Sequence, residues 1–279
     1  MRVMGKSFLK AWSRQSYRRV MNYIMSELDA NDLGRSAIVF APHQDDETLG
    51  CGGTIIKKKR AGADVSIAFM TDGSRSHSRF IAENELKSIR ANEAIAAGRV
   101  LGVEENKILF LEFKDGELSK NQDAAVLKVA EILQRQQPDE IFIPYFKETP
   151  PDHFATNRIV VFALQTCRRK VIIYEYPIWF WQHWPWASAP ISRRREMLTV
   201  LKNSVVSGLS LLRDFGCYVY IRDVLELKSA ALNQYQSQMT RLIPDPCWAT
   251  LGDVSNGEWL ACFFQEYEIF WRYSFPGRC

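Results

Sequence analysis

Ser36-Ala37-Ile38-Val39-Phe40-Ala41-Pro42-His43-Gln44-Asp45-Asp46-Glu47 is the stretch on which the reading of this chain turns. Its first six residues form a short apolar run, as a buried parallel strand requires. The run stops at Pro42, and a histidine and three acids follow at once. Gly50, Gly52 and Gly53 come next and permit a tight turn with close backbone approach. An exposed acidic loop would account for the acids alone. It would not account for a histidine among them directly after a buried strand.

Outward from this stretch, strand and helix alternate. Leu49 to Arg60 reads as a helix, Asp64 to Met70 as a second strand and Ile81 to Leu101 as a long helix ended by Gly102. Lys107 to Leu111 reads as a third strand, Gln122 to Gln136 as a helix and Glu140 to Pro144 as a fourth strand. His153 to Thr166 returns to helix, and Lys170 to Glu175 is a fifth strand. Repeated β-α-β units predict an α/β fold: a Rossmann-like, mostly parallel sheet with helices on both faces. In such sheets ligands bind at the carboxyl ends of strands, where the strand order switches.

Upstream, residues 1–33 carry a helical pattern. Phe8, Trp12, Val20, Ile24 and Leu28 share one face and basic residues another. Downstream, Tyr176 to Trp186 is rich in aromatics, residues 192–240 read as mainly helical, and the last forty residues mix turns with short aromatic strands. The expected organisation is an N-terminal helical extension over 1–35 and one domain over 36–279. Within that domain, 36–175 forms the core and 176–279 a C-terminal elaboration.

The strand-end positions carry the chemistry. His43 and Asp46 are three residues apart, so one turn can aim both inward. Histidine and carboxylate are the ligands that catalytic zinc takes, and three protein ligands leave a fourth position for water. The fourth strand runs into Pro150-Pro151-Asp152-His153. The first and fourth strands of a doubly wound sheet are natural neighbours at the switch point. His153 is thereby placed to complete a His-Asp-His site. Asp152 reads as an N-cap or as an orienter behind the ligands.

Composition bounds the rest. The 279 residues are 47% hydrophobic and 24% charged, with a net charge of +4. That mild charge lacks the concentrated basic face of a nucleic-acid binder. The six cysteines show no C-x-x-C spacing, so a zinc knuckle or redox motif is not expected and a reduced, cytoplasmic compartment is. No apolar run approaches the ~18 residues of a membrane-spanning helix. Lys6, Lys10 and Arg14 interrupt any signal-peptide core.

The two clusters resemble the LmbE-like family of deacetylases, also called the PIG-L type. Its marks are an (A/P)-H-P-D-D-E loop after the first strand and an H-x-D-H loop after the fourth. Pro42 to Glu47 matches the first, with Gln44 in place of proline, and Pro150 to His153 matches the second. The resemblance spans roughly residues 36–175. Thr71-Asp72-Gly73, the Arg90 and Glu93 helix with Leu101 and Gly102, and Asp115-Gly116 follow in order. The segment from Lys228 to Gln238 adds a C-terminal element. The resemblance implies hydrolysis of an N-acetyl group on a glucosamine-type sugar or sugar conjugate. It implies Zn2+, or another divalent metal, held by His43, Asp46 and His153. Asp45 is implied as the general base, and Arg90 and Asp115 as contacts to the sugar.

Pro150 departs from the pattern, because it stands where the family has the first histidine of H-x-D-H. Proline cannot stabilise an oxyanion or protonate a leaving amine. His77 is the first candidate to replace that imidazole, followed by Lys147 and then His183. Without any replacement, Asp45 could return to the amine the proton it took from water. The rival reading is a catalytically inactive sugar-binding protein on the same fold. A dinucleotide enzyme is disfavoured because a G-x-G-x-x-G turn is missing and three acids would repel pyrophosphate. The basic, amphipathic segment 2–19 and Trp179, Trp181, Trp184 and Trp186 suggest a peripheral membrane contact. The favoured expectation is that they pack on the domain or line the cleft.

Overall fold

The computed structural model describes residues 15, 19, 23–166, 170–183, 185–187 and 208–277. The described residues build an eight-stranded mixed sheet. The strands are β1 (Ser26–Glu27), β2 (Ala37–Ala41), β3 (Val65–Thr71), β4 (Ile108–Phe113), β5 (Glu140–Pro144), β6 (Val171–Tyr176), β7 (Cys217–Tyr220) and β8 (Tyr267–Phe275), in the order β1-β7-β8-β6-β5-β2-β3-β4. Strand β8 runs antiparallel to both β6 and β7, and every other pairing is parallel.

Every residue of β2 is buried, because alternate side chains feed two different cores. Ala37, Val39 and Ala41 enter one cluster, with Leu49, Ile55 and Ile56 of α2 (Asp46–Arg60) and Ala94, Ala97 and Leu101 of α3 (Glu83–Leu101). Ile38 and Phe40 enter the other, with Val129 and Leu133 of α4 (Gln122–Gln136) and Ile159, Val160 and Ala163 of α5 (Pro151–Leu164). The strand period of two therefore explains the unbroken apolar run. The short α1 (Ala30–Gly34) precedes β2, and α6 (Leu225–Leu232) and α7 (Gln236–Met239) follow β7.

The chain passes from β2 to β3 and β4 on one side, then returns to place β5 on the other side of β2. The switch point thus lies between β2 and β5. The close fit of α2 against the sheet depends on glycine: a Cβ at Gly50 would stand 2.3 Å from the ring of Tyr176.

Three expectations need correction. Ser26–Glu27 is a strand paired with β7, not part of a helix. Within 192–240, Cys217–Tyr220 is also a strand. Cys217 and Val219 are buried, and the segment is hydrogen-bonded between β1 and β8. The C-terminal region ends in one nine-residue strand that bridges β6 and β7, not in several short ones. Most of the amphipathic prefix, Trp184 and residues 188–207 lie outside the described residues. No described helix is long and apolar enough to cross a membrane. Trp181 and Trp186 are buried, at 5% and 2% exposure, so they do not form an interfacial surface.

Candidate active site

The loop from β2 into α2 puts three acids at the switch point. Asp46 opens α2, and its side chain folds back so that Oδ2 accepts the His43 backbone N–H at 3.0 Å. The same Oδ2 lies 3.3 Å from His43 Nδ1 and 3.3 Å from His153 Nε2, which arrives on the first turn of α5. Asp45 takes φ 146°, a backbone region that non-glycine residues rarely enter. The turn is held by Glu47, whose Oε2 accepts the Asp45 N–H at 3.2 Å. Glu47 also binds the Tyr235 hydroxyl at 2.6 Å and that of Thr48. Gln44 donates to the Thr71 carbonyl at 2.8 Å and so ties the loop to β3.

Around this core stand Asp115 and Asp152, at 3.3 and 3.4 Å from His43 Nε2. Asp152 is not an N-cap, because Pro150 occupies that position. It accepts the N–H groups of Gly116 at 2.6 Å and Leu118 at 3.2 Å, and so anchors the loop that carries Asp115. Arg90 is 2% exposed and donates to the carbonyl of Gln44 at 2.6 Å, and it lies 3.4 Å from Asp45 Oδ2. Its guanidinium is therefore committed to the loop and edges the cleft. Gly73, with φ +61°, makes room for it: a Cβ there would stand 2.2 Å from Gln44 and 3.0 Å from Arg90.

A cavity of about 340 Å³ opens on these groups. His43, Asp45, Asp46, Asp115 and His153 line one side, with Pro150 at the edge. Trp179, Trp259, Ile178 and Leu251 form an apolar wall, and Gln238, Ser76, Arg75 and Arg90 add polar groups. The indoles of Trp179 and Trp259 are stacked, with centroids 4.9 Å apart at 24°.

Burial dominates the titration of the site. It lowers His153 to about 4, so that imidazole is neutral at neutral pH. Burial opposes ionisation of Asp46, yet the adjacent His153 and His43 leave its carboxyl below the ordinary range. Burial also disfavours a charged His43, but hydrogen bonds to Asp115, Asp152 and Asp46 carry it well above its usual value. Asp45 is pushed up to about 8 by burial, with Arg90 opposing the rise. Glu47 is raised to about 7, again by burial.

The sequence-derived residues separate under this geometry. His43, Asp45, Asp46, Asp115 and His153 converge on the cavity, and Arg90 reaches its edge. His77 is not among the lining residues. Its ring stacks on Trp248 at 4.1 Å, its Nε2–H donates to the Ala249 carbonyl at 2.8 Å, and Nδ1 faces the Ser76 hydroxyl at 3.2 Å. Both ring nitrogens thus have partners. Lys147 pairs with Asp214 at 2.7 Å, and His183 Nδ1 meets the Phe180 carbonyl at 3.0 Å, both away from the lining. Glu148, Trp259 and Gln238 escaped the sequence reading as site residues, whereas Trp179 lines the cavity, one of the places expected for it. Glu148 lies in the same loop as His153, and Gln238 ends the Lys228–Gln238 segment, so proximity to those motifs was the available signal.

The donor atoms fit a divalent cation. Two three-donor groups share His43: His43, Asp46 and His153, and His43, Asp115 and Asp152, with donor atoms within 4.8 Å of one another in each. The neutral imidazole of His153 and the ionised Asp46 are already in the forms that bind metal. Several buried carboxylates crowd here with Arg90, and a dication would offset their repulsion.

The chain is similar to proteins of known name and structure. Diacetylchitobiose deacetylase of Thermococcus kodakarensis is 24% identical over 247 residues, covering 84% of this chain and 81% of that one. Probable N-acetyl-alpha-D-glucosaminyl L-malate deacetylase 2 of Bacillus cereus is 25% identical over 247 residues, covering 86% and 99%. Among solved structures, N,N'-diacetylchitobiose deacetylase from Pyrococcus horikoshii shares the fold at a TM-score of 0.62 and 23% identity, covering 87% of this chain and 84% of that one. Residues 38–164, which supply His43, Asp46 and His153, match the family described as PIG-L: GlcNAc-PI de-N-acetylase.

Proposed function

We propose that this protein is a metal-dependent hydrolase that removes the N-acetyl group from a glucosamine-type sugar or sugar conjugate. The observation that carries the reading is the convergence of His43 Nδ1, Asp46 Oδ2 and His153 Nε2 on a cavity that Asp45 also lines. Of the two donor groups, His43, Asp46 and His153 is preferred as the metal site. All three line the cavity, whereas Asp152 is spent on backbone N–H groups of the 116–118 loop. A divalent cation there supplies Lewis acidity, which activates water near neutral pH and polarises an acyl oxygen.

The protein's own groups do the rest. Asp45 accepts the proton of the attacking water, and positive charge close by favours its ionised form. Arg90 and the Asp45 N–H bond to Glu47 fix the direction of that carboxylate. Pro150 faces the cavity and offers no proton, so Asp45 hands its proton to the departing amine. Asp115, Ser76 and Gln238 line the cavity and would meet sugar hydroxyls, and the indole wall would exclude water from the apolar side. The relatives named as deacetylases of chitobiose and of a glucosaminyl malate support this substrate class.

The test is chelation followed by metal reloading, with primary-amine release measured from N-acetylglucosamine and its glycosides. About one divalent ion per chain, as one three-ligand site would hold, should restore release. His153→Ala should lose both metal and release. Release that ignores the metal would overturn the mechanism. Stoichiometric metal with no release from any N-acetylated sugar would favour the sugar-binding alternative, which Pro150 supports.

A further inference from the structure

The loop between β5 and α5 holds one more acid, and it lies outside the cavity lining. Glu148 stands five residues before His153, and its side chain is fully buried. Oε1 accepts the backbone N–H of Ile178 at 2.8 Å and of Phe180 at 3.2 Å, and Oε2 accepts that of Trp179 at 2.7 Å. Three consecutive N–H groups thus converge on one carboxylate, an arrangement that fixes both loop and anion. The same Oε2 is 3.8 Å from His153 Nδ1, a buried nitrogen with no hydrogen-bond partner. The other nitrogen of that ring faces Asp46 at 3.3 Å. On the opposite side, the Trp259 indole N–H donates to the Ile178 carbonyl at 3.1 Å, so Trp259 and its stacked partner Trp179 hang on the segment that Glu148 holds.

We propose that Glu148 is a positioning residue that sets two walls of the cleft at once: the ring of His153 and the Trp179–Trp259 shelf on which the sugar rests. The inference rests on the metal-site reading above. A histidine that ligates a metal usually donates its second N–H to a carboxylate, carbonyl or water, which fixes tautomer and ring direction. At His153 the carboxylate facing that second nitrogen is Glu148, at 3.8 Å. The 3.8 Å gap is too long for a hydrogen bond, so a small rotation of the ring or shift of the carboxylate closes it. Any shift of that carboxylate is passed to residues 178–180, because each N–H there is bound to it. The metal corner and the aromatic shelf are therefore coupled through one side chain. The shelf suits a pyranose: indole faces take apolar C–H surface while the polar groups opposite take hydroxyls.

Glu148→Gln keeps the side-chain volume but turns one acceptor oxygen into an N–H donor facing N–H groups. With folding checked by circular dichroism, zinc affinity measured against a chromophoric chelator should fall by about 10–100-fold. Trp179→Phe should leave zinc affinity within about twofold, since the ring is not a ligand. In the wild type, zinc titration should change tryptophan emission, and Trp179→Phe should remove most of that change. Wild-type affinity in Glu148→Gln would overturn the proposal. So would zinc binding without any change in emission, or an undiminished change in Trp179→Phe. If Glu148→Gln does not fold, the wild-type and Trp179→Phe titrations decide. If the wild type takes up no zinc, the metal-site reading falls as well, whereas normal zinc uptake without coupling defeats only the role given to Glu148.

Discussion

Replacing Asp45 by Asn should separate a base from a ligand. The amide is nearly isosteric with the carboxyl and is not one of the donor atoms that converge from His43, Asp46 and His153. Burial holds the Asp45 carboxyl near 8, so in the metal-free protein at neutral pH it is mostly protonated, and a neutral amide resembles that form. Arg90 exchanges a carboxyl neighbour at 3.4 Å for an amide and keeps the Gln44 carbonyl at 2.6 Å, so the loss of stability should be no more than about 1 kcal/mol. The effect on turnover should be far larger. A general base contributes about 10²–10⁴-fold. That corresponds to about 3–5 kcal/mol on the barrier. Asp46→Asn should behave differently. Asp46 Oδ2 lies 3.3 Å from both imidazoles and accepts the His43 N–H, so an amide in its place weakens metal binding itself. The assay is amine release by a fluorogenic amine reagent, with metal content measured by atomic absorption on the same samples. Near-normal turnover by fully metal-loaded Asp45→Asn would refute the assignment of the base.

Metal affinity should rise with pH. His43 and Asp45 hold protons near neutrality in the metal-free site, and the cation-binding forms are deprotonated. Loss of one to two protons per ion gives about a tenfold to hundredfold gain per pH unit, checked by chelator competition at about pH 6, 7 and 8; a flat profile would show those groups already deprotonated. Gly50→Ala should destabilise the fold by about 1–3 kcal/mol in urea unfolding, because its Cβ meets the fully buried Tyr176 ring at 2.3 Å. No loss would mean that α2 is not seated so closely. His77→Ala should cost about 1–2 kcal/mol through the lost Trp248 stack and Ala249 hydrogen bond, with turnover of the remaining folded enzyme little changed. A hundredfold fall in kcat without a fall in stability would return the proton-donor role to His77.

The local pattern of the chain was enough for the α/β alternation. Apolar runs such as Ala37–Ala41 and Glu140–Pro144 are wanted only by strands buried on both faces, and glycines such as Gly102 end the intervening helices. The loop from Pro42 to Glu47 was legible for the same reason: His43 and Asp46 meet within one turn, so three residues of sequence contain the geometry. His153 came from a topological rule, because right-handed crossovers bring β2 and β5 side by side. Tertiary structure decided the rest. Cys217–Tyr220 is a strand because β1 and β8 flank it; its four residues do not outweigh the helical pattern around them. Trp179 and Trp259 meet across eighty residues of sequence, and Glu148 gains its meaning only from three N–H groups of another loop. The direction of His77 could not be read either, since a ring beside a cleft can face the cleft or the tryptophan behind it. Periodicity and spacing encode which residues are near in the chain, while side-chain direction and long-range hydrogen bonding depend on partners that only the packed fold supplies.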